Sequence, residues 1–409
     1  MDILKFITAG NIDDGKSTLI GRLLYDTHNI KSDILQSISQ TDSAFNLAFI
    51  TDGLRAEREQ GITIDIAYKY FSTPNRKFII TDAPGHFQYT KNLVTGASNV
   101  DVMIILIDAL HGITDQTKRH SLVASFLGIK HVVVAINKMD LVDYKQSIFE
   151  DIKTNYQKIT NKLHISNTTF IPISALQGDN ISSISDNMGW YNGTTLLEFL
   201  ESCPLSNKNT ELSRFSVQHV INSDTPNRWG YAGKILSGKF RLGDTIVIHP
   251  YGENTSITKI INGYSEVKEA YAGENICIYL QNELIAARGD SFSLAHHEPL
   301  CNDKIEAIIC WLDDKFSMQT GKDYLLRINN AETICKVIKI EYKIDVKTFD
   351  KADADRSIEV NEFAKITIET KEPIAYDHFS IVPENGRGIL IDIATNNTSA
   401  AFIVAQNQF

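Results

Sequence analysis

In the first 200 residues, short and nearly continuous apolar runs alternate with polar stretches of helical period. The runs cover residues 4–9, 78–81, 102–108, 132–137 and 170–173. A strand that is apolar on both sides has no side to offer to water, so such runs, separated by helices, predict a parallel sheet covered on both faces. Glycine and polar residues stand where the runs end, and sheets of this kind bind ligands beyond the carboxyl ends of their strands. After the polar stretch 205–210 the pattern changes to short alternating segments, among them 216–221, 245–249 and 276–280. Gly230, Gly233, Gly238, Gly243 and Gly273 read as turns between them, as in a small antiparallel barrel. A second all-β stretch follows, with strands expected at 304–311, 364–369 and 388–393. The expected architecture is an α/β domain with a parallel-type central sheet over 1–204, then two all-β barrel domains over 205–300 and 301–409.

Composition narrows the setting. A chain of 409 residues with 43% hydrophobic content buries a large core and exceeds one ordinary domain. The longest apolar runs are far shorter than a membrane span, and Met1 leads straight into a strand, so a cytoplasmic protein with no membrane partner is expected. A net charge of −10 without any Lys/Arg run argues against a nucleic-acid partner. Cys203, Cys277, Cys301, Cys310 and Cys335 are odd in number and lack metal-binding spacing, so they read as buried small hydrophobes.

Chemistry enters with Gly10-Asn11-Ile12-Asp13-Asp14-Gly15-Lys16-Ser17, which fits GxxxxGK[ST] between a strand and a helix, with Thr18 next. The glycines let backbone N–H groups close around phosphates, the helix start adds a positive dipole end, and Lys16 can bridge the β- and γ-phosphates. Ser17 offers a hydroxyl to Mg2+. Asp13 and Asp14 read as loop acids with no catalytic role. Four further segments stand in order at strand ends. Thr63, in Gly61-Ile62-Thr63-Ile64, can reach Mg2+ and report the γ-phosphate. Asp82-Ala83-Pro84-Gly85 places a carboxylate near the metal through water, and the Gly85 N–H near the γ-phosphate. In Asn137-Lys138-Met139-Asp140, the Asp140 carboxylate can accept both N–H donors of the guanine edge while Lys138 covers the base. Adenine would leave that carboxylate unpaired, so guanine is the inferred base. Ser174-Ala175-Leu176 offers a backbone N–H towards guanine O6.

Together these segments resemble the five-motif GTPase set, and His86 after DAPG resembles the water-positioning histidine of translational GTPases, with Lys16 and Thr63 as its catalytic companions. A P-loop GTPase domain ending in SAL and followed by two barrels resembles elongation factor Tu. Within that superfamily, IDDGKSTLIGRLLYDT (12–27), DGLRAEREQGITIDIAYKYFST (52–73) and PGHFQYTKNLVTGAS (84–98) are similar to the GTPase subunit family of sulfate adenylyltransferase. So are QTKRHSLVASFLGIKHVVVAINKMDLVDY (116–144), RWGYAGKILSGKFRLGDTIVI (228–248) and LIDIATNNTSAAFIV (390–404). Elongation factors usually carry histidine where Asp14 stands. Phe87, where an acidic residue is usual, and PENGRG at 383–388 depart from the family, and neither touches an inferred nucleotide ligand.

The resemblance implies Mg2+ with GTP as the cofactor set and a small catalytic subunit as the partner. That subunit would make adenosine 5'-phosphosulfate and pyrophosphate from ATP and sulfate, with GTP hydrolysis driving the reaction. Some relatives carry a fused adenylylsulfate kinase; no second GxxxxGK[ST] follows residue 17, so the unfused form is expected. Two alternatives keep the fold but change the role: a translational GTPase delivering aminoacyl-tRNA, and a regulator that holds GTP without turning it over.

Overall fold

The computed structural model describes residues 2–30, 65–205, 211–222, 229–282, 286–353 and 357–405. The chain forms two compact units, one of residues 1–206 with 346–349, the other of residues 207–345 with 350–409.

The first unit is built on a six-stranded sheet. Its parallel strands are β1 (Ile3–Ala9), β3 (Lys77–Asp82), β4 (Val102–Asp108), β5 (His131–Asn137) and β6 (Asn167–Pro172), and the spatial order is β2-β3-β1-β4-β5-β6. Every residue of β4 is buried, its closing Asp108 included, as a strand covered on both faces requires. The parallel-type sheet carries one antiparallel strand at its edge. β2 (Ala67–Ser72) pairs antiparallel with β3 at the sheet edge. It alternates, Phe71 inward and Tyr68 and Tyr70 exposed, because an edge strand covered on one side has no need of a continuous apolar run. Helices α1 (Lys16–Asp26), α2 (Thr90–Ala97), α3 (Asp115–Phe126), α4 (Gln146–Lys162) and α5 (Leu196–Ser202) complete the unit. Leu19, Ile20, Leu23 and Leu24 of α1 pack with Leu4, Phe6, Phe78, Ile104 and Val133 in one core.

Register does the positioning. Thr8 of β1 lies opposite Asp82 of β3, and Asp108 of β4 opposite Asn137 of β5. The carboxyl ends of four neighbouring strands therefore stop level with each other, and the loops that leave them converge on one edge.

The second unit holds two closed barrels with separate cores. In the first, β7 (Arg214–Asn222), β8 (Trp229–Ser237), β10 (Thr245–His249), β11 (Glu253–Asn262), β14 (Asn275–Leu280) and β15 (Ser291–Leu294) close through the β10–β11 pairing. In the second, β16 (Leu300–Trp311), β18 (Asp323–Ile328), β19 (Ala331–Ile344), β22 (Phe363–Tyr376), β23 (Arg387–Asp392) and β24 (Thr398–Val404) close through β18–β19. Gly238, Gly243 and Gly273 sit in turns with positive φ. Gly230 and Gly233 do not: both lie inside β8. A Cβ on Gly230 would stand 2.8 Å from Cys277 Sγ, and one on Gly233 would strike the Ser216 carbonyl, so these glycines allow close strand approach and turn nothing.

The barrels share a buried ion pair. Arg214 donates to Asp377 through Nε (2.9 Å) and Nη2 (2.8 Å), Asn385 donates to the same carboxylate at 2.8 Å, and Arg214 also holds the carbonyls of Ser213 and His297. All five cysteines are free thiols; Cys203, Cys310 and Cys335 are buried as expected, while Cys277 and Cys301 are half-buried. Among the described residues no helix is long and apolar enough to cross a membrane.

Candidate guanine-nucleotide site

The loop between β1 and α1 folds back on itself around Lys16. The Lys16 ammonium is buried and donates to the carbonyls of Gly10 (3.0 Å) and Asn11 (2.8 Å). Burial pushes it below the ordinary lysine value, against the pull of Asp82, Asp14 and Asp13. Gly15 caps α1 with φ 93, and a Cβ there would stand 2.5 Å from Asn137 Nδ2, so glycine is required twice over. Ser17 and Thr18 follow in the first turn of α1, half-buried. Asp14 is buried beneath the loop, its Oδ2 accepting from Asn11 N at 2.5 Å, and burial raises its carboxyl against that bond and Lys16. Ile12 is half-buried and Asp13 exposed with φ 69. These two acids thus differ: Asp13 faces solvent and Asp14 braces the loop from below.

Asp82 is buried where β3 ends. Gly85 follows, packed so tightly on the phosphate loop that a Cβ would come onto Lys16 Nζ, 2.5 Å from Gly10 O and 3.2 Å from the Asn11 carbonyl carbon. His86 is half-buried beside it, with Nδ1 accepting from Gln88 N at 3.3 Å. Lys16, Asp82, Gly85 and His86 are thereby brought to one place. Thr63 lies outside the described residues.

The segments expected to read the base meet the Gly10–Lys16 loop through Asn137, whose amide donates to Asp14 O (2.7 Å) and whose Oδ1 accepts from Ala175 N (2.9 Å). One buried side chain thus ties the two loops together. Lys138 takes a left-handed conformation (φ 63) and pairs with Asp108 Oδ2 at 2.8 Å. Asp140 is half-buried in the turn Met139–Val142, Ser174 is buried, and Leu176 is exposed. Ser174 shapes its own loop, accepting from Gln177 N through Oγ and from Gly178 N through its carbonyl.

Residues 1–206 match the elongation factor Tu GTP binding domain family, and residues 304–405 match the GTP-eEF1A C-terminal domain-like family. The sulfate adenylyltransferase subunit 1 of Psychromonas ingrahamii is 41% identical over 99% of this chain and 87% of its own length. That of Francisella tularensis subsp. novicida is 43% identical over 98% and 87% respectively. The bifunctional enzyme CysN/CysC of Mycobacterium tuberculosis is 40% identical over 99% of this chain and 67% of its own length. The chain belongs to the sulfate adenylyltransferase subunit 1 family.

In this member of the family, site residues appear that motif reading alone passes over. Asp108 is one: burial raises its carboxyl, but hydrogen bonds from Lys138 and the Leu110 N–H outweigh that and hold it below the ordinary range. Its signal was a charge closing an otherwise apolar run. Gln116 of α3 is another, donating to Gly85 O at 3.2 Å and lying 3.0 Å from His120 Nε2. Its partner lies 31 residues away, so nothing local marks it.

Proposed function

We propose that this chain hydrolyses GTP to GDP and phosphate as the GTPase subunit of a cytoplasmic sulfate adenylyltransferase. Its hydrolysis drives a small catalytic partner subunit that converts ATP and sulfate to adenosine 5'-phosphosulfate and pyrophosphate. The observation that carries the proposal is the meeting, at one sheet edge of a chain from this family, of the Lys16–Asp82–Gly85 group with the Asn137–Lys138–Asp140 turn.

The roles follow from chemistry. Lys16 neutralises charge on the transferred phosphoryl group, the Gly85 N–H senses it, and His86 orients the attacking water. Asp140 reads guanine, Lys138 covers the base, and the 174–176 loop supplies the N–H for O6. Gly10 to Gly15 cradle phosphates through their N–H groups. Ser17, Thr63 and, through water, Asp82 are hard oxygen donors suited to Mg2+. Bound Mg2+ supplies charge neutralisation at the phosphates. The same proposal divides the chain at 204/205 and 300/301; the second division falls one residue inside β16, just after the connection that leaves β15 at Leu294.

The test is GTP hydrolysis by the chain alone and with the small subunit, with ATP and sulfate present and adenosine 5'-phosphosulfate assayed in parallel. Hydrolysis stimulated by the partner, accompanied by product and abolished by EDTA, is the expected result. GTP-dependent capture of aminoacyl-tRNA, with neither complex nor stimulation, would overturn it in favour of a translational role.

A further inference from the structure

Arg22 stands in the second turn of α1, the helix whose first turn carries Lys16 and Ser17. None of the five nucleotide motifs includes it, yet its guanidinium crosses to the opposite side of the site. Nε donates to Ala175 O at 3.3 Å and Nη2 to Leu176 O at 2.5 Å, so the two carbonyls of the expected guanine loop are held by one planar cation. The side chain is itself held. Nη1 pairs with Asp26 Oδ1 at 3.5 Å one turn on, and Asp26 Oδ2 accepts from Ser182 Oγ at 2.7 Å. Gly178, with φ 93, turns the loop so that the guanidinium packs beneath it: a Cβ there would lie 3.6 Å from Arg22 Cζ.

This arrangement completes a frame around the base loop. Asn137 Oδ1 takes the Ala175 N–H, Ser174 takes the N–H groups of Gln177 and Gly178, and Arg22 takes the carbonyls of Ala175 and Leu176. Fixing those carbonyls fixes the planes of the 175–176 and 176–177 peptides, and with them the direction of the N–H donors beyond. A rigid guanidinium fork does this better than a lysine, whose point charge satisfies one acceptor at a time.

We propose that Arg22 is a positioning residue for guanine recognition: it aims the backbone donor of the 174–176 loop at O6 of the base. The proposal rests on the guanine-nucleotide reading of the site. It predicts that Arg22 contributes selectively to the O6 contact and leaves the Asp140 contact to the N–H edge unaffected.

The experiment compares GDP with 2-aminopurine riboside diphosphate, which keeps the 2-amino group of guanine but lacks both O6 and the N1–H, by competition against a fluorescent guanine nucleotide; the loss of the N1–H is common to wild type and variant, so the change on substituting Arg22 reports the O6 contact. In Arg22→Ala, GDP affinity should fall roughly tenfold, equivalent to about 1.4 kcal/mol, while the 2-aminopurine nucleotide changes less than about twofold by the same measure. The preference for GDP then narrows by about that tenfold factor, and Arg22→Lys recovers part of it. Retained 2-aminopurine binding also shows that the variant is folded. Equal losses for both nucleotides, or an unchanged preference, would overturn the role assigned to Arg22. A wild-type chain with no preference for guanine would instead sink the reading of the site beneath it.

Discussion

Gly85 shows how a single hydrogen atom in place of a methyl group can set a distance between loops. Its Cα lies against backbone of the phosphate loop, and backbone cannot rotate away as a side-chain tip can. Gly85→Ala must therefore push the DAPG segment off Lys16. A displacement of about 1 Å at a reacting centre costs on the order of 10²-fold, and we expect GTP hydrolysis to fall by about that factor while GDP, which lacks the γ-phosphate, still binds. His86→Ala should lower kcat by roughly 10²-fold with nucleotide affinity unchanged. Single-turnover hydrolysis and equilibrium GDP binding, measured side by side, check both; unaltered hydrolysis in either variant contradicts the role given to that residue. The phosphate and base motifs could be read from sequence because each is local, a few residues long and set at a strand end. Arg22 could not, since its partner Ala175 lies 153 residues away, and for Asp108 only the charge at the end of an apolar run was visible, its Lys138 partner lying 30 residues on.

At the scale of elements, legibility followed burial. The strands flanked by core on both faces, such as Val102–Asp108, announced themselves as nearly continuous apolar runs. The half-exposed edge strand Ala67–Ser72 did not, and glycines inside Trp229–Ser237 passed for turns because close strand approach and chain reversal call for the same residue. Helix α3 carries a titration worth measuring. It opens on a capping box at Thr114 and buries His120, whose Nε2 meets the Gln116 amide and must accept from it, leaving the proton on Nδ1. Burial, then the charges of Lys16 and Arg119, lower this imidazole from 6.5 to about 3. The native state stays neutral while the unfolded chain takes up a proton below about pH 6.5, so stability is lost as pH falls towards 3. The expected slope is about 1.4 kcal/mol per pH unit. His249, lowered to about 4 chiefly by burial, acts with the same sign in the second unit. Urea unfolding of the first unit between pH 6 and 5 should show that slope, and His120→Asn should flatten it.

At the scale of the molecule, the two barrels of the second unit have separate cores but share the Arg214–Asp377 pair. Both side chains are almost wholly excluded from water, so removing one strands the other. Arg214→Ala should destabilise the unit by about 3–5 kcal/mol, whereas replacing both residues with apolar ones of similar size should cost much less. Urea midpoints of the single and double variants decide the point: equal losses would mean that the site tolerates no substitution for reasons of shape alone. The first unit presents a different economy of design. Thr8 opposite Asp82 and Asp108 opposite Asn137 bring the chemistry to one edge of the sheet, which leaves the other edge as plain connection. Turns there, at the exposed Asn99 and Lys130, can take a dye, an affinity handle or an inserted peptide without touching a reacting group.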